Sequence, residues 1–218
     1  LLALASRGAY NMHGSLLPKY RGRVPINWAI IHGETKTGAT LHYMLDKADR
    51  GDIVAQQAVP ILPDDTAREV FDKVTVAAEL ALNGALPALL AGSASRIKQN
   101  ASASSYYGAR KPEDGTIDWF QSAIAIHNLV RAVAPPYPGA FTMVAGRPAR
   151  VLRTRVLDAG AAPARGPSMT VENGRLVARC GGGGALAILT LEVDGAAMSA
   201  TDFAAVANDG AIAVPLGG

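Results

Sequence analysis

A single cysteine, Cys180, stands in 218 residues. One thiol excludes an internal disulfide and fits a reducing compartment, so a cytoplasmic setting is expected. Its apolar flanks read as those of a buried small hydrophobe. No His/Cys cluster occurs at metal-ligand spacing, so no metal cofactor is expected. Membrane insertion is not expected either. The longest uncharged apolar stretch, 80–95, is interrupted by Asn83, Gly84 and Pro87 and is too short to span a bilayer. The apolar start, Leu1 to Ala5, lacks a basic region and does not read as a secretion signal. It also lacks an initiator methionine, and a chain that begins inside a longer protein is expected. Charge of one sign is scarce too. A net charge of +3 and a pI near 9.1 are too weak to argue for a nucleic-acid partner. What remains is globular material, 49% hydrophobic and 18% charged, enough for one large domain or two small ones.

The texture changes along the chain. Residues 1–8 read as a helix end and a turn at Gly8, and 9–13 as a strand. Residues 25–32 read as a helix with proline first and Gly33 after its end. Strands are expected over 38–45 and 53–59, the second closed by Pro60. Thr66 and Glu69 make a capping box for a helix through Val70, Val74, Ala77 and Ala81, with a second short helix past Gly84 and Pro87. Residues 93–105 read as a small, polar loop. Ser122 caps a helix that Pro135, Pro136 and Pro138 stop. From Gly139 on, short runs alternate with turn signals. Asn173-Gly174 between Val171 and Leu176 is a hairpin signal, and the series suggests a small barrel or sandwich. Ser199 or Thr201 starts a last short helix. The expected class is α/β, with domains at 1–138 and 139–218.

The chemistry concentrates in residues 9–23. Asn11 and His13 lie two apart on a strand and so share a face. Gly14, Pro18, Gly22 and Pro25 keep the following basic segment irregular. An amide can stabilise an oxyanion and an imidazole can move a proton. Asp49 follows a strand, and if the two strands are neighbours their carboxyl ends converge. A carboxylate beside an imidazole favours its charged form and fixes its orientation. Asn11, His13 and Asp49 then make a site for acyl transfer to an amine. Taken singly, Asn11 reads as a turn residue, His13 as a satisfied loop histidine and Asp49 as a solvated charge. His32, His42 and His127 read as structural. Lys19 and Arg21 read either as a solvated basic loop or as partners of acidic groups.

The run Asn11-Met12-His13-Gly14-Ser15-Leu16-Leu17-Pro18-Lys19-Tyr20-Arg21-Gly22 resembles the signature of the folate-dependent formyltransferases. The resemblance implies a Rossmann-like catalytic domain, truncated here at its N-terminal βαβ units, followed by a small OB-like β-barrel. It implies 10-formyltetrahydrofolate as formyl donor, no metal, and direct transfer to an amine with Asn11, His13 and Asp49 as catalytic residues. Arg23 matches the arginine that contacts the formyl-folate. Leu45, Asp46, Lys47, Ala48 and Asp49 match the loop lining the folate pocket.

Within the family, His13-Gly14-Ser15, Asn27-Trp28 and the segment from Lys47 to Gln56 are similar to the formyltransferase half of bifunctional polymyxin-resistance proteins. That likeness implies transfer to the 4-amino group of UDP-4-amino-4-deoxy-L-arabinose, in lipid A modification and antibiotic resistance, with a fused or separate decarboxylase as partner. The segment 126–140 resembles the junction into the C-terminal barrel. Asn128 and Arg131 share a helical face and, with Tyr137, are candidates for the sugar nucleotide. An interdomain salt bridge or cap is the other reading of Arg131. Methionyl-tRNA formyltransferase is the alternative. Residues 140–218 hold seven arginines against six acids, a balance that disfavours a tRNA partner. A non-catalytic, nucleotide-binding remnant is the third reading.

Overall fold

Two hydrophobic patterns follow one another along the chain, and each closes its own core. The computed structural model describes residues 8–163 and 166–207, and the backbone of 214–215. The helix end expected before Gly8 lies outside the described residues. Packing divides the chain into two units, Leu1–Arg110 and Lys111–Gly218.

The first unit contains β1 (Tyr10–His13), β2 (Arg21–Gly22), α1 (Pro25–Ile31), β3 (Lys36–Tyr43), β4 (Ile53–Pro60), α2 (Ala67–Leu90) and β5 (Tyr106–Tyr107). Strand β3 is central in a sheet of order β1-β3-β4. Both pairings are antiparallel. β3 is buried along almost its whole length, as a strand with cover on both faces must be. Helix α2 starts at the expected capping box of Thr66 and Glu69, and buries Val70, Val74, Ala77, Ala81 and Ala85. That spacing is one helical stripe, and it packs on β3 and β4.

The expected break at Gly84 and Pro87 is absent, and α2 runs through Pro87 to Leu90. Both residues face solvent while Ala81 and Ala85 carry the buried stripe across them. An interior proline costs a helix about 3 kcal/mol, and packing of that stripe offsets it. By length and composition α2, with a mean hydropathy of 1.3 in its most apolar window, could cross a membrane.

The second unit contains α3 (Ala123–Val133), β6 (Ala140–Val144), β7 (Arg147–Asp158), β8 (Ser168–Glu172), β9 (Arg175–Arg179), β10 (Ala185–Val193), β11 (Ala196–Ala197), α4 (Ala200–Val206) and β12 (Val214–Pro215). The sheet order is β12-β8-β9-β10-β7-β6, with β11 on β10. Residue pairs with positive φ, Ala145-Gly146, Asn173-Gly174 and Asp194-Gly195, sit at three of its hairpins, as two-residue turns of a twisted sheet require. Asn173-Gly174 joins β8 to β9 in the expected register.

Among the described residues this sheet is open. Its end strands β12 and β6 do not pair, so the closed OB-like barrel is not formed. The apolar face that a barrel would bury on itself is covered by α3, which packs on β7, β10 and β6. Ile126, Val130 and Val133 join Val151, Leu186, Leu191 and Phe203 in the core. This packing places α3 with the second unit, and the division falls between Arg110 and Lys111 rather than at the proline run before 139. The glycine run 181–184 also has a task. A Cβ on Gly182 would lie 2.6 Å from the backbone of Gln121 and Ser122. That close approach lets the Gly183 carbonyl accept the first N–H of α3, from Ala123, at 2.9 Å.

Candidate active site

The site is built on β1 and its partner. The pairing of β1 with β3 sets Asn11 opposite His42 and His13 opposite Thr40. Because the strands are antiparallel, their carboxyl ends point in opposite directions and do not converge as the sequence suggested. Asp49 arrives by another route. The loop after β3 folds back on itself, with the Tyr43 N–H donating to the Asp52 carbonyl at 3.0 Å. Gly51 allows this: a Cβ there would lie 1.7 Å from the Tyr43 carbonyl oxygen. Asp49 itself has φ of +56°, left-handed backbone that carboxamide and carboxylate residues tolerate better than most.

So folded, Asp49 meets both imidazoles. Its Oδ1 lies 3.6 Å from His13 Nδ1 and 3.5 Å from His42 Nε2. Its Oδ2 accepts the Gly22 N–H at 2.8 Å. His13, His42 and Asp49 are all buried. A carbonyl only accepts, so the remaining contacts fix the ring protons. His13 Nε2 donates to the Tyr20 carbonyl at 2.8 Å, which turns Nδ1 to Asp49. His42 Nδ1 donates to the Tyr43 carbonyl at 2.8 Å, which turns Nε2 inward. Asn11 Nδ2 donates to that Nε2 at 3.3 Å. One amide hydrogen of Asn11 is thereby directed to His42, and Nδ2 carries a second.

The irregular segment after β1 is bolted down by Thr40. Its hydroxyl donates to the Ser15 carbonyl at 2.6 Å and accepts from the Leu17 N–H at 3.2 Å and Gln56 Nε2 at 2.7 Å. Lys19 and the Tyr20 hydroxyl both donate to Glu34 Oε1, at 3.1 and 3.0 Å. Burial, and then the hydrogen bond to Glu34, raises the Tyr20 hydroxyl well above its usual value. Burial opposes ionisation of Glu34, but the donors Lys19 and Tyr20 outweigh it and hold the carboxyl below its usual range. Tyr20, Trp28, His32 and Tyr107 form a cluster of rings with centroids 5.0 to 5.8 Å apart. Burial lowers the His32 pKa, against the pull of Glu34. Arg21 is buried, and its guanidinium donates to Gln99 Oε1 from Nε at 3.1 Å and Nη2 at 2.7 Å.

The structure therefore brings Asn11, His13 and Asp49 together. Arg23, Leu45, Asp46, Lys47 and Ala48 are exposed around the buried Asp49. Asn128, Arg131 and Tyr137 belong to the second unit. There Arg131 Nε donates to Asn128 Oδ1 at 3.0 Å, both side chains being buried. Tyr137 packs on the core. His127 hydrogen-bonds Thr154 at 2.8 Å. Burial pushes the Cys180 thiol up to about 11. Sequence reasoning missed His42 as a member of the cluster. Only the register of β1 on β3 reveals it, since His42 then faces Asn11. It also missed Gln99, which no local pattern marks. Among the described residues, no group of three or more His, Cys, Asp or Glu side chains is placed to hold a metal ion.

Known proteins share this arrangement of elements. Residues 1–86 match the family described as formyl transferase, and residues 110–208 match the formyl transferase C-terminal domain. The N-formyltransferase from Helicobacter canadensis, solved with folinic acid and dTDP-3-aminofucose, is similar at 22% identity with a TM-score of 0.69, over 82% of this chain and 65% of that one. HypX from Aquifex aeolicus, solved with tetrahydrofolic acid, gives 19% and 0.65, over 93% of this chain and 35% of that one. A 4-N formyltransferase from Francisella tularensis gives 26% and 0.56, over 62% of this chain and 56% of that one. The chain spans less than two thirds of the length of each. These likenesses show a mixed α/β fold, with a Rossmann-like first unit and the C-terminal domain typical of formyltransferases. With the two matched segments covering most of its length in order, the chain belongs to the formyl transferase family.

Proposed function

We propose that this protein transfers a formyl group from 10-formyltetrahydrofolate to the 4-amino group of a UDP-linked aminosugar. The observation that carries this is the convergence of Asn11, His13 and Asp49 in one buried cluster. The amine attacks the formyl carbon, and the charge that builds on the formyl oxygen needs a fixed donor. Asn11, oriented by His42, supplies its second amide N–H. Such a donor is worth about 10²–10³ in rate. The amine must lose a proton as its C–N bond forms, and the bond from the formyl carbon to folate N10 must break. His13 carries the proton from the amine to the departing N10, under the control of Asp49, and tetrahydrofolate leaves, an effect of about 10²–10⁴. Arg23 and the loop 45–49, exposed except at Asp49, are the folate-facing segment. The buried Asn128–Arg131 pair and Tyr137 serve the sugar nucleotide. Folate and sugar nucleotide are substrates here, and the chemistry needs no metal.

The choice of acceptor rests on likeness to the formyltransferase half of the bifunctional polymyxin-resistance protein ArnA, carried by Asn27-Trp28 and the run 47–56. UDP-4-amino-4-deoxy-L-arabinose is the acceptor it implies, with lipid A modification as the setting, a cytoplasmic location and a decarboxylase as neighbour. A relative described as a 4-N formyltransferase supports the regiochemistry. The test is formyl transfer from 10-formyltetrahydrofolate to a UDP-4-aminosugar and, in parallel, to methionyl-tRNA. Turnover on the sugar that His13→Ala abolishes is the expected result. Turnover on the tRNA alone moves the assignment to methionyl-tRNA formyltransferase. Binding of the sugar nucleotide without turnover on either acceptor indicates a nucleotide-binding remnant.

A further inference from the structure

We propose that Gln99 is a positioning residue for Asp49, and that Arg21 acts through it as an internal brace. Every hydrogen-bonding capacity of the Gln99 amide is used. Nε2 donates to the Asp49 carbonyl at 2.9 Å and to the Gly51 carbonyl at 2.7 Å. Oε1 accepts twice from the buried Arg21 guanidinium. The amide thus joins the segment after β1 to the loop that presents the carboxylate. It grips that loop on both sides of Arg50, next to the left-handed Asp49. Left-handed backbone at a non-glycine residue persists only where its surroundings over-determine it, and Gln99 supplies that determination.

Gln99 is itself held by a strap. Ile97 exchanges both backbone hydrogen bonds with Ile53, at 2.8 and 2.9 Å. Further on, Ser105 Oγ accepts the Tyr20 N–H at 2.9 Å, and β5 pairs with β2. The strap therefore touches the start of β4, the Asp49 loop and the segment that carries His13's carbonyl partner. It lies between the two segments that match the family, 1–86 and 110–208. A buried arginine in a basic loop would ordinarily suggest an anion site. Here its Nε and one Nη hydrogen bond are spent on a neutral side chain, whose other end fixes the carboxylate.

The catalytic consequence rests on the formyl-transfer reading, but the geometry is tested without it. Asp49 Oδ2 is the partner of the Gly22 amide. The flanking amides of Arg21 and Arg23 bond instead to the Ser105 and Tyr107 carbonyls, each at 3.0 Å. Amide hydrogen exchange at Gly22 is therefore a direct reporter of where Asp49 stands, with Arg21 and Arg23 as internal controls. In Gln99→Ala, Gly22 should lose protection by roughly tenfold, as expected for loss of a hydrogen bond to a charged group, and to the level of Asp49→Ala. Arg21 and Arg23 should stay protected. Gln99→Glu retains the contact with Arg21 but cannot donate to the two carbonyls, so it should expose Gly22 equally and serves if the alanine variant does not fold.

Full protection at Gly22 in either variant overturns the proposal. So does parallel loss at all three amides, which would make Gln99 a general stabiliser of the loop. In a formyl-transfer assay, Gln99→Ala should lower kcat by up to about 10²-fold with the acceptor KM unchanged. The same substitution in an Asp49→Ala background should add nothing. A full additional loss there would show that Gln99 acts elsewhere. If the wild type transfers no formyl group, the formyl-transfer reading fails and the Gly22 exchange still decides the geometry.

Discussion

His42 is the residue whose removal should be most informative. It is 1% exposed and holds the Asn11 amide on Nε2. Replacing Asn11 by alanine should cut formyl transfer by about 10²–10³-fold, the usual cost of one oxyanion donor. His42→Phe keeps the ring volume but removes the acceptor. It should lower kcat by about tenfold or more, as expected when one hydrogen bond no longer orients a donor, and its effect should largely vanish in an Asn11→Ala background. Steady-state kinetics of the two single variants and the double variant decide this. Gly51 is the steric counterpart. Gly51→Ala places a Cβ on the Tyr43 carbonyl and should destabilise by at least about 2 kcal/mol in urea unfolding, with loss of activity because Asp49 moves. At this scale the pairing of Asn11 with His13 was legible, since alternation along a strand is local. Asp49 was legible by type and position but not by route, because the route depends on strand direction. Gln99 was not legible: its partners lie 48 to 78 residues away in the chain.

Elements were read from their ends more safely than from their interiors. The box at Thr66/Glu69, the cap at Ser122, the start of the last helix at Ser199, one of its two expected positions, and the Asn173-Gly174 turn all occur as side chain and backbone chemistry dictate. Interior breakers misled. Gly84 and Pro87 suggested a stop in α2, but both sit on its solvent side and the buried stripe overrides them. Pro87→Ala should therefore stabilise the protein. It restores a donor toward the Asn83 carbonyl and removes the ring clash, together worth about 1–3 kcal/mol, and should appear as a higher urea midpoint with unchanged slope. A lower midpoint would mean that the ring has a packing role. Thr66→Ala should cost about 1 kcal/mol in the same experiment. The end of the first unit was not legible from the proline run after α3, because proline marks where a helix stops and not which core it serves. The open path of the second sheet was equally out of reach, since closure depends on where α3 lies.

The pH range in which the protein stays folded is set by groups at both ends of the titration. Cys180 stays protonated in the folded protein up to about 11, against an ordinary 9.0. The folded state holds a proton that the unfolded chain releases sooner, so stability is complete below pH 9 and declines as pH rises toward 11. The raised Tyr20 hydroxyl acts in the same direction above pH 10. Cys180→Ala should flatten the lower part of that decline in urea midpoints measured from pH 8 to 11. On the acid side, the folded state resists protonation of His32 relative to its ordinary 6.5, so stability falls as pH drops below that value. The depressed Glu34 adds a further loss as pH falls from 4.5 through its folded value. Tyr20 and Val24, on either side of the Gly22 amide that bonds Asp49, both have left-handed backbone, and Val24, β-branched, suits it least. Heat-resistant descendants selected in the laboratory should therefore accumulate glycine or asparagine at position 24 early.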